Sequence, residues 1–197
     1  MTPIQVIKLG GSLINSGLLK EWLNLIASQG QGSVVIVPGG GPFANQVRLI
    51  QQQWRFDDVN AHHMAVLAMQ QMALVYQGLN PEMVLADSPE AIKLILKQRQ
   101  VAIWFPEIGL LNDAGIAASW EVTSDSLSAW LAGKISASNL TLVKSIGIPE
   151  NFTIPELIEQ GVVDKAFNLY AKDLTGQINI VNRSEIKMFL LDSKKND

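Results

Sequence analysis

Two glycine turns near the start of the chain constrain its fold more than any other feature. "VIKLGGSLI" (residues 6–14) and "VIVPGGGPFANQVR" (residues 35–48) each run from apolar residues into glycines and then into a helical pattern. Glycines after a strand let backbone come close to something, often a phosphate at the opening of a helix. Gly39, Gly40 and Gly41 leave no side chain over the backbone amides, where one glycine would serve a plain strand-to-helix turn. The triplet therefore reads as a nest for an anion or a polar substrate. The first turn adds a lysine: Lys8 lies between Ile7 and Leu9, just before Gly10, Gly11 and Ser12. A lysine in an apolar strand bears a desolvation cost unless its ammonium emerges toward a partner. Two readings stand: a snorkelling lysine at a tight turn, or a cation that neutralises a phosphoryl group in a crevice. The spacing is not that of a P-loop, since no G-x-x-x-x-G-K-[ST] occurs.

Beyond the turns, apolar β-branched runs predict strands at residues 4–8, 33–37, 101–105, 140–144 and 177–181. Helical patterns lie between them, at 18–30, 45–54, 61–78, 88–98, 123–135 and 182–191. The first places Leu18, Leu19, Trp22, Leu25 and Ile26 on one face and stops at Gly30; the third is expected to stop at Gly78. Ser88, Pro89 and Glu90 form a helix start. This alternation predicts an α/β fold, a three-layer αβα sandwich with a mostly parallel central sheet. Ligands in such sheets bind beyond the carboxyl ends of the strands, so both glycine turns would border one crevice. At 197 residues the expectation is a single domain over 1–191, with a frayed tail at 192–197. No apolar run reaches the length of a membrane span, and the N-terminus has neither a basic region nor a cleavage site. The absence of cysteine excludes disulfides and thiol catalysis, and a net charge of −3 argues against broad nucleic-acid binding. A cytoplasmic protein is expected, with no nucleic-acid or membrane partner.

A third stretch, "WEVTSDSLSAWLAGKISASNLTLVKS" (residues 120–145), carries Asp125 at a helix start rich in Thr and Ser. Asp125 is either a helix cap or a carboxylate that holds a lysine in place for phosphoryl transfer or coordinates magnesium indirectly. His62 and His63 are the only histidines and point apart on a helix, which argues against a shared metal. One of them could line an acceptor pocket, the other serving as a surface or cap residue. Asp57 and Asp58 read as loop or capping residues, and Met64, Met69, Met72 and Met83 as core. Trp104, Phe105 and Trp120 are candidates for either pocket wall or core.

"KLGGS", "VPGGGPFANQVR" and "TSDSLSAWLA" before "LTLVKS", in that order, resemble the amino acid kinase superfamily. Within it, the short chain, "AHHMAVLAM" and "LVKS" are similar to the small kinases of methanofuran biosynthesis. Those use ATP to convert a furanmethyl phosphate into its diphosphate. The resemblance implies ATP and Mg²⁺ as cofactors, a small-molecule substrate, and a homo-oligomer of at least two subunits. It implies an acceptor half at about 1–120 and a nucleotide half at about 121–191. Lys8 would stabilise the transferring phosphoryl group, with Gly10, Gly11 and Ser12 donating to its oxygens. Gly39, Gly40 and Gly41, with His62 and His63, would hold the acceptor. Asp125 would orient the lysines, and Thr123, Ser124, Lys144, Ser145 and Lys165 would fall at the nucleotide. Lys144 and Lys165 compete for the second catalytic lysine, because "EQGVVDKAF" lacks the glycine pair common in relatives. The chain also reads "SIGIPENF" where many members have a "DGVY"-like stretch. That departure leaves open a nucleotide-binding regulatory protein of the same fold, or a kinase for a different small carboxylate or phosphate.

Overall fold

A computed structural model of the chain describes residues 3–147 and 153–186. The described strands are β1 (Gln5–Leu9), β2 (Val34–Pro38), β3 (Val84–Ala86), β4 (Ala102–Trp104), β5 (Asn139–Lys144) and β6 (Gln177–Asn182). They form one wholly parallel sheet in the order β3-β4-β2-β1-β5-β6. A 3-10 turn (Gly11–Asn15) leads from β1 into α1 (Leu19–Gln29), and β2 leads into α2 (Gly41–Trp54) and α3 (Asp58–Leu79). Later come α4 (Pro89–Lys97), α5 (Ile108–Asp113), α6 (Ser124–Lys134), α7 (Ile154–Glu159) and α8 (Phe167–Ala171).

The sheet is covered on both sides, and side-chain alternation sorts its residues between two cores. Val6, Val37, Ala102, Trp104, Leu140 and Leu142 point to the side covered by α4 and α6. Ile7, Leu9, Ile36, Ile103 and Val143 point to the other, against Trp22, Leu23 and Ile26 of α1 and Met72 and Tyr76 of α3. Each such aliphatic side chain contributes roughly 1.5–3 kcal/mol by leaving water. The three-layer architecture expected from the sequence is therefore present. By the same parity, Lys8 falls on the α6 side, in line with Val6.

Three local differences have physical reasons. Strand β3 was not expected: it is only three residues long, lies at the sheet edge, and Val84 and Leu85 are half-buried. Gly78 lies inside α3, which ends instead at Asn80, whose N–H donates to the Tyr76 carbonyl at 2.9 Å. The same helix starts at Asp58, earlier than its apolar pattern, because the Asp57 carboxylate accepts the Asn60 N–H at 2.8 Å. This places His62 and His63 in its second turn. Ser88 caps α4 as expected. Met69, Met72 and Met83 are core, as is Trp104, whose ring centroid lies 6.0 Å from that of Trp130. The helix expected over 182–191 lies outside the described residues beyond Ile186, as does the tail. Among the described residues no helix is long and apolar enough to cross a membrane.

Candidate active site

Lys8 on β1 is the register partner of Leu142 on β5. Lys144 follows Leu142 by two residues, so both lysines project from the same side of adjacent strands. Asp125, in the first turn of α6, meets them there. Its Oδ1 lies 2.8 Å from the Lys8 ammonium, and its Oδ2 accepts a hydrogen bond from Lys144 Nζ at 2.6 Å. The three side chains are 6%, 8% and 13% exposed for Lys8, Asp125 and Lys144. Burial alone would raise the Asp125 carboxyl, but the two ammoniums outweigh it and its pKa falls below the usual carboxylate range. Lys144 is pushed down to about 8, first by burial and then by the charge of Lys8. With both lysines protonated the cluster sums to one positive charge. A buried excess of that sign is a site prepared for an anion.

Asp125 is not the cap of its helix. That role belongs to Asp164, which lies between α7 and α8 and whose Oδ2 accepts the N–H and Oγ1–H of Thr123 and the N–H of Ser126, at 2.8, 2.7 and 3.0 Å. Ser126 Oγ donates to its other oxygen. Burial pushes the Asp164 carboxyl up against the pull of these bonds. The capping alternative for Asp125 is thus taken by a residue about forty positions later, which no local pattern could identify. Asp125 is left to the lysines.

The two glycine turns are packed against each other, backbone on backbone. A Cβ on Gly11 would sit 2.5 Å from Gly41 Cα, and one on Gly39 would sit 2.6 Å from the Gly11 nitrogen. Gly41 has φ +55°, and a Cβ there would strike Met72 Sδ at 2.9 Å. A Cβ on Gly10 would meet the Val143 carbonyl oxygen at 2.9 Å and the Lys8 ammonium at 4.0 Å. Two of the glycine amides are already used. Gly10 N–H donates to Val143 O at 3.2 Å and Gly39 N–H to Leu9 O at 2.9 Å, prolonging the sheet ladder. These two N–H groups are therefore engaged within the protein, where the resemblance implied that Gly10 would donate to phosphate oxygens and that Gly39 would hold the acceptor side. Gly11, Ser12, Gly40 and Gly41 stand at the openings of helical segments, where the first N–H groups have no intrahelical partner.

Two cavities adjoin. The first, about 310 Å³, lies over the glycine turns and is lined by Gly11, Ser12, Gly40, Gly41, His62 and Ser124 among others. The second, about 530 Å³, contains Asp125, Lys144, Asp164 and Lys165. Thr123, Arg48 and Trp120 border both. Several expected residues fall differently. Ser124, expected at the nucleotide, faces the first cavity. Ser145 is exposed and lines neither cavity, and neither does His63, whose Nε2 is buried without a hydrogen bond. Lys165 is 76% exposed and pairs with Glu121 at 3.2 Å, whereas Lys144 in the same cavity is largely buried. His62 faces the first cavity, and its Nδ1 lies 3.3 Å from the Ser119 carbonyl. Burial, the larger effect, lowers its pKa and keeps the ring neutral near neutral pH. Trp120 proves to be a pocket wall, with the Arg48 guanidinium 3.7 Å from its ring centroid. Sequence reasoning missed both Arg48 and Asp164. Arg48 follows Gly41 by two helical turns, a spacing that was available as a signal.

The chain is similar to known proteins in sequence and in fold. The chain is 28% identical to the [5-(aminomethyl)furan-3-yl]methyl phosphate kinase of Methanocaldococcus jannaschii, over 98% of this chain and 95% of that one. Uridylate kinase from Archaeoglobus fulgidus has a similar fold, with a TM-score of 0.67 at 18% identity over 93% of each chain. UMP kinase from Bacillus anthracis gives 0.69 at 19% identity over 92% of this chain and 88% of that one. Residues 3–147, which hold both glycine turns and all three buried charges, match the amino acid kinase family, and the chain belongs to it.

Proposed function

We propose that this protein transfers the γ-phosphoryl group of ATP to a small phosphate monoester, making a diphosphate. The acceptor best matching the reading is an (aminomethyl)furanmethyl phosphate, as in the assembly of methanofuran-type cofactors. The coarser statement follows from the family: the protein is an ATP-dependent kinase acting on a small molecule. The observation that carries the finer one is the surplus positive charge of Lys8–Asp125–Lys144 beside a cavity whose lining has no carboxylate. An anionic acceptor meets no like charge there.

In this reading the glycine-turn cavity holds the acceptor and the second cavity holds ATP. An acceptor oxygen forms a bond to the γ-phosphorus as the bond to ADP breaks, and ADP leaves with the electron pair. A phosphate acceptor is already ionised at neutral pH, so no general base is needed. Lys8 and Lys144 face the charge that spreads over the transferring group. The amides of Gly11, Ser12, Gly40 and Gly41 are free to hold its oxygens or the acceptor's. Thr123 borders the nucleotide side, and Lys165 stands at the outer rim. Among the described residues no three His, Asp or Glu side chains converge on a metal position. Asp125 and Asp164 are committed to other partners, so Mg²⁺ would arrive on the ATP phosphates.

A panel of furanmethyl phosphates, nucleoside monophosphates and acetylglutamate, scored by ADP release, tests the assignment. Turnover with nucleoside monophosphates and none with furanmethyl phosphates rejects the furan acceptor; turnover with acetylglutamate alone rejects the phosphate-monoester class as well. ATP binding without turnover on any acceptor would instead indicate a regulatory protein.

The proton on Lys144 gives a second test. Its ammonium is charged below about pH 8 and neutral above it. The kcat/KM for ATP should therefore fall as pH rises through that region. Lys144→Arg, which cannot lose its charge, should remove this limb of the profile even at reduced activity. We also expect at least a dimer. Leu67 and Leu74, seven residues apart on one face of α3, are 45% and 52% exposed. Elution as a monomer in gel filtration at micromolar concentration would exclude that.

A further inference from the structure

Arg48 is a cation in search of an anion. Among the described residues it makes no ion pair; its guanidinium lies over Trp120, 3.7 Å from the ring centroid. Partial burial pushes its pKa below the ordinary arginine range. Stacking on the indole restores part of that lost hydration. It occupies one face of the guanidinium and none of its five N–H donors, which lie in the plane. The indole is itself fixed, because Trp120 Nε1–H donates to Gln51 Oε1 at 2.6 Å. Gln51 follows Arg48 by one turn of α2, so a single helix holds both the cation and its platform.

We propose that Arg48, laid on Trp120, binds the acceptor's own phosphate group and makes the enzyme specific for phosphorylated acceptors. The proposal rests on the kinase reading above and adds to it a residue and a reason for the substrate class. Gly41, Ala44, Asn45 and Arg48 all line the first cavity at helical spacing. Arg48 is the permanent cation of that lining, since His62 is neutral. The second cavity already has Lys144 and Lys165 for the phosphates of a nucleotide. The chemistry of the fork then selects the acceptor. A carboxylate held by both arms of a guanidinium has no oxygen left to react. A phosphate monoester held the same way keeps a third oxygen, which attacks the γ-phosphorus to form the P–O–P bond while ADP departs.

The test measures equilibrium binding of benzyl phosphate, phenylacetate and ATP, each alone, to the wild type, Arg48→Lys and Arg48→Ala. Unfolding curves establish that both variants fold. Benzyl phosphate should bind the wild type in preference to phenylacetate. Arg48→Ala should weaken it by about 10- to 100-fold and change ATP by less than about threefold, with Arg48→Lys between. A loss of ATP affinity with benzyl phosphate unchanged would assign Arg48 to the nucleotide and overturn the proposal. So would a wild-type protein that does not bind benzyl phosphate, whatever its kinase activity. Arg48-dependent binding of benzyl phosphate without ATP turnover on any acceptor would uphold this inference and reject the kinase reading instead.

Discussion

Asp125→Asn is expected to lower the stability of the folded protein by about 3–5 kcal/mol and to reduce ATP turnover to background. The substitution leaves the Lys8 and Lys144 ammoniums buried around a neutral amide, where wild type has a carboxylate 2.8 and 2.6 Å from them. Lys144, already pushed down to about 8, should then titrate lower still. The folded variant binds fewer protons than its unfolded chain between that lowered value and the ordinary lysine pKa. Its stability should therefore rise with pH across that window. Urea unfolding at pH 6 and at pH 9 measures this; an equal deficit at both pH values would mean that charge is not the cause. Lys8→Met separates folding from chemistry. It leaves Asp125 paired with Lys144, so the protein should fold, while turnover falls by roughly 10²–10³. Near-normal turnover would remove Lys8 from the mechanism.

Gly11→Ala should be severely damaging for a change of one carbon. The new Cβ would lie 2.5 Å from Gly41 Cα, so the backbone of one turn must retreat from the other. No side chain can rotate to relieve it. We expect a loss of more than about 3 kcal/mol together with loss of acceptor binding, read by thermal unfolding and by titration. Gly78→Ala is the control. A Cβ there meets nothing within 4 Å, and inside α3 it should stabilise by about 0.5–1 kcal/mol. If Gly11→Ala melts with the wild type, the two turns are not locked together as described.

Much of this architecture was legible because its signals are local. The alternation of Val6, Ile7 and Leu9 around Lys8 marked a doubly buried strand with one misplaced charge, and the glycines after it marked a close approach. The approach turned out to be between the two turns themselves, which only the β1–β2 pairing could reveal. The neighbouring positions of Lys8 and Lys144 depend on β5 lying beside β1, a matter of strand order rather than of spacing. Asp125 read equally well as a cap, because its competitor Asp164 lies far along the chain. Gly78 failed as a stop signal since α3 closes later, at the bond from the Asn80 N–H to the Tyr76 carbonyl. Strand β3 is too short to have a period.

The clamp made by Asp164 has a consequence for how the protein comes into being. The glycine turns, Lys8, Asp125 and Lys144 all leave the ribosome before residue 147, where the match to the family ends. The oxygens that pin the start of α6 come afterwards, as does β6, which flanks β5. Until they arrive, the donors of Thr123 and Ser126 can turn only to water, and each one buried without an acceptor would cost about 1–3 kcal/mol. A nascent chain that has finished its matched part therefore carries Lys8, Asp125 and Lys144 without the brace that holds the start of α6 in place. The last part made licenses the first.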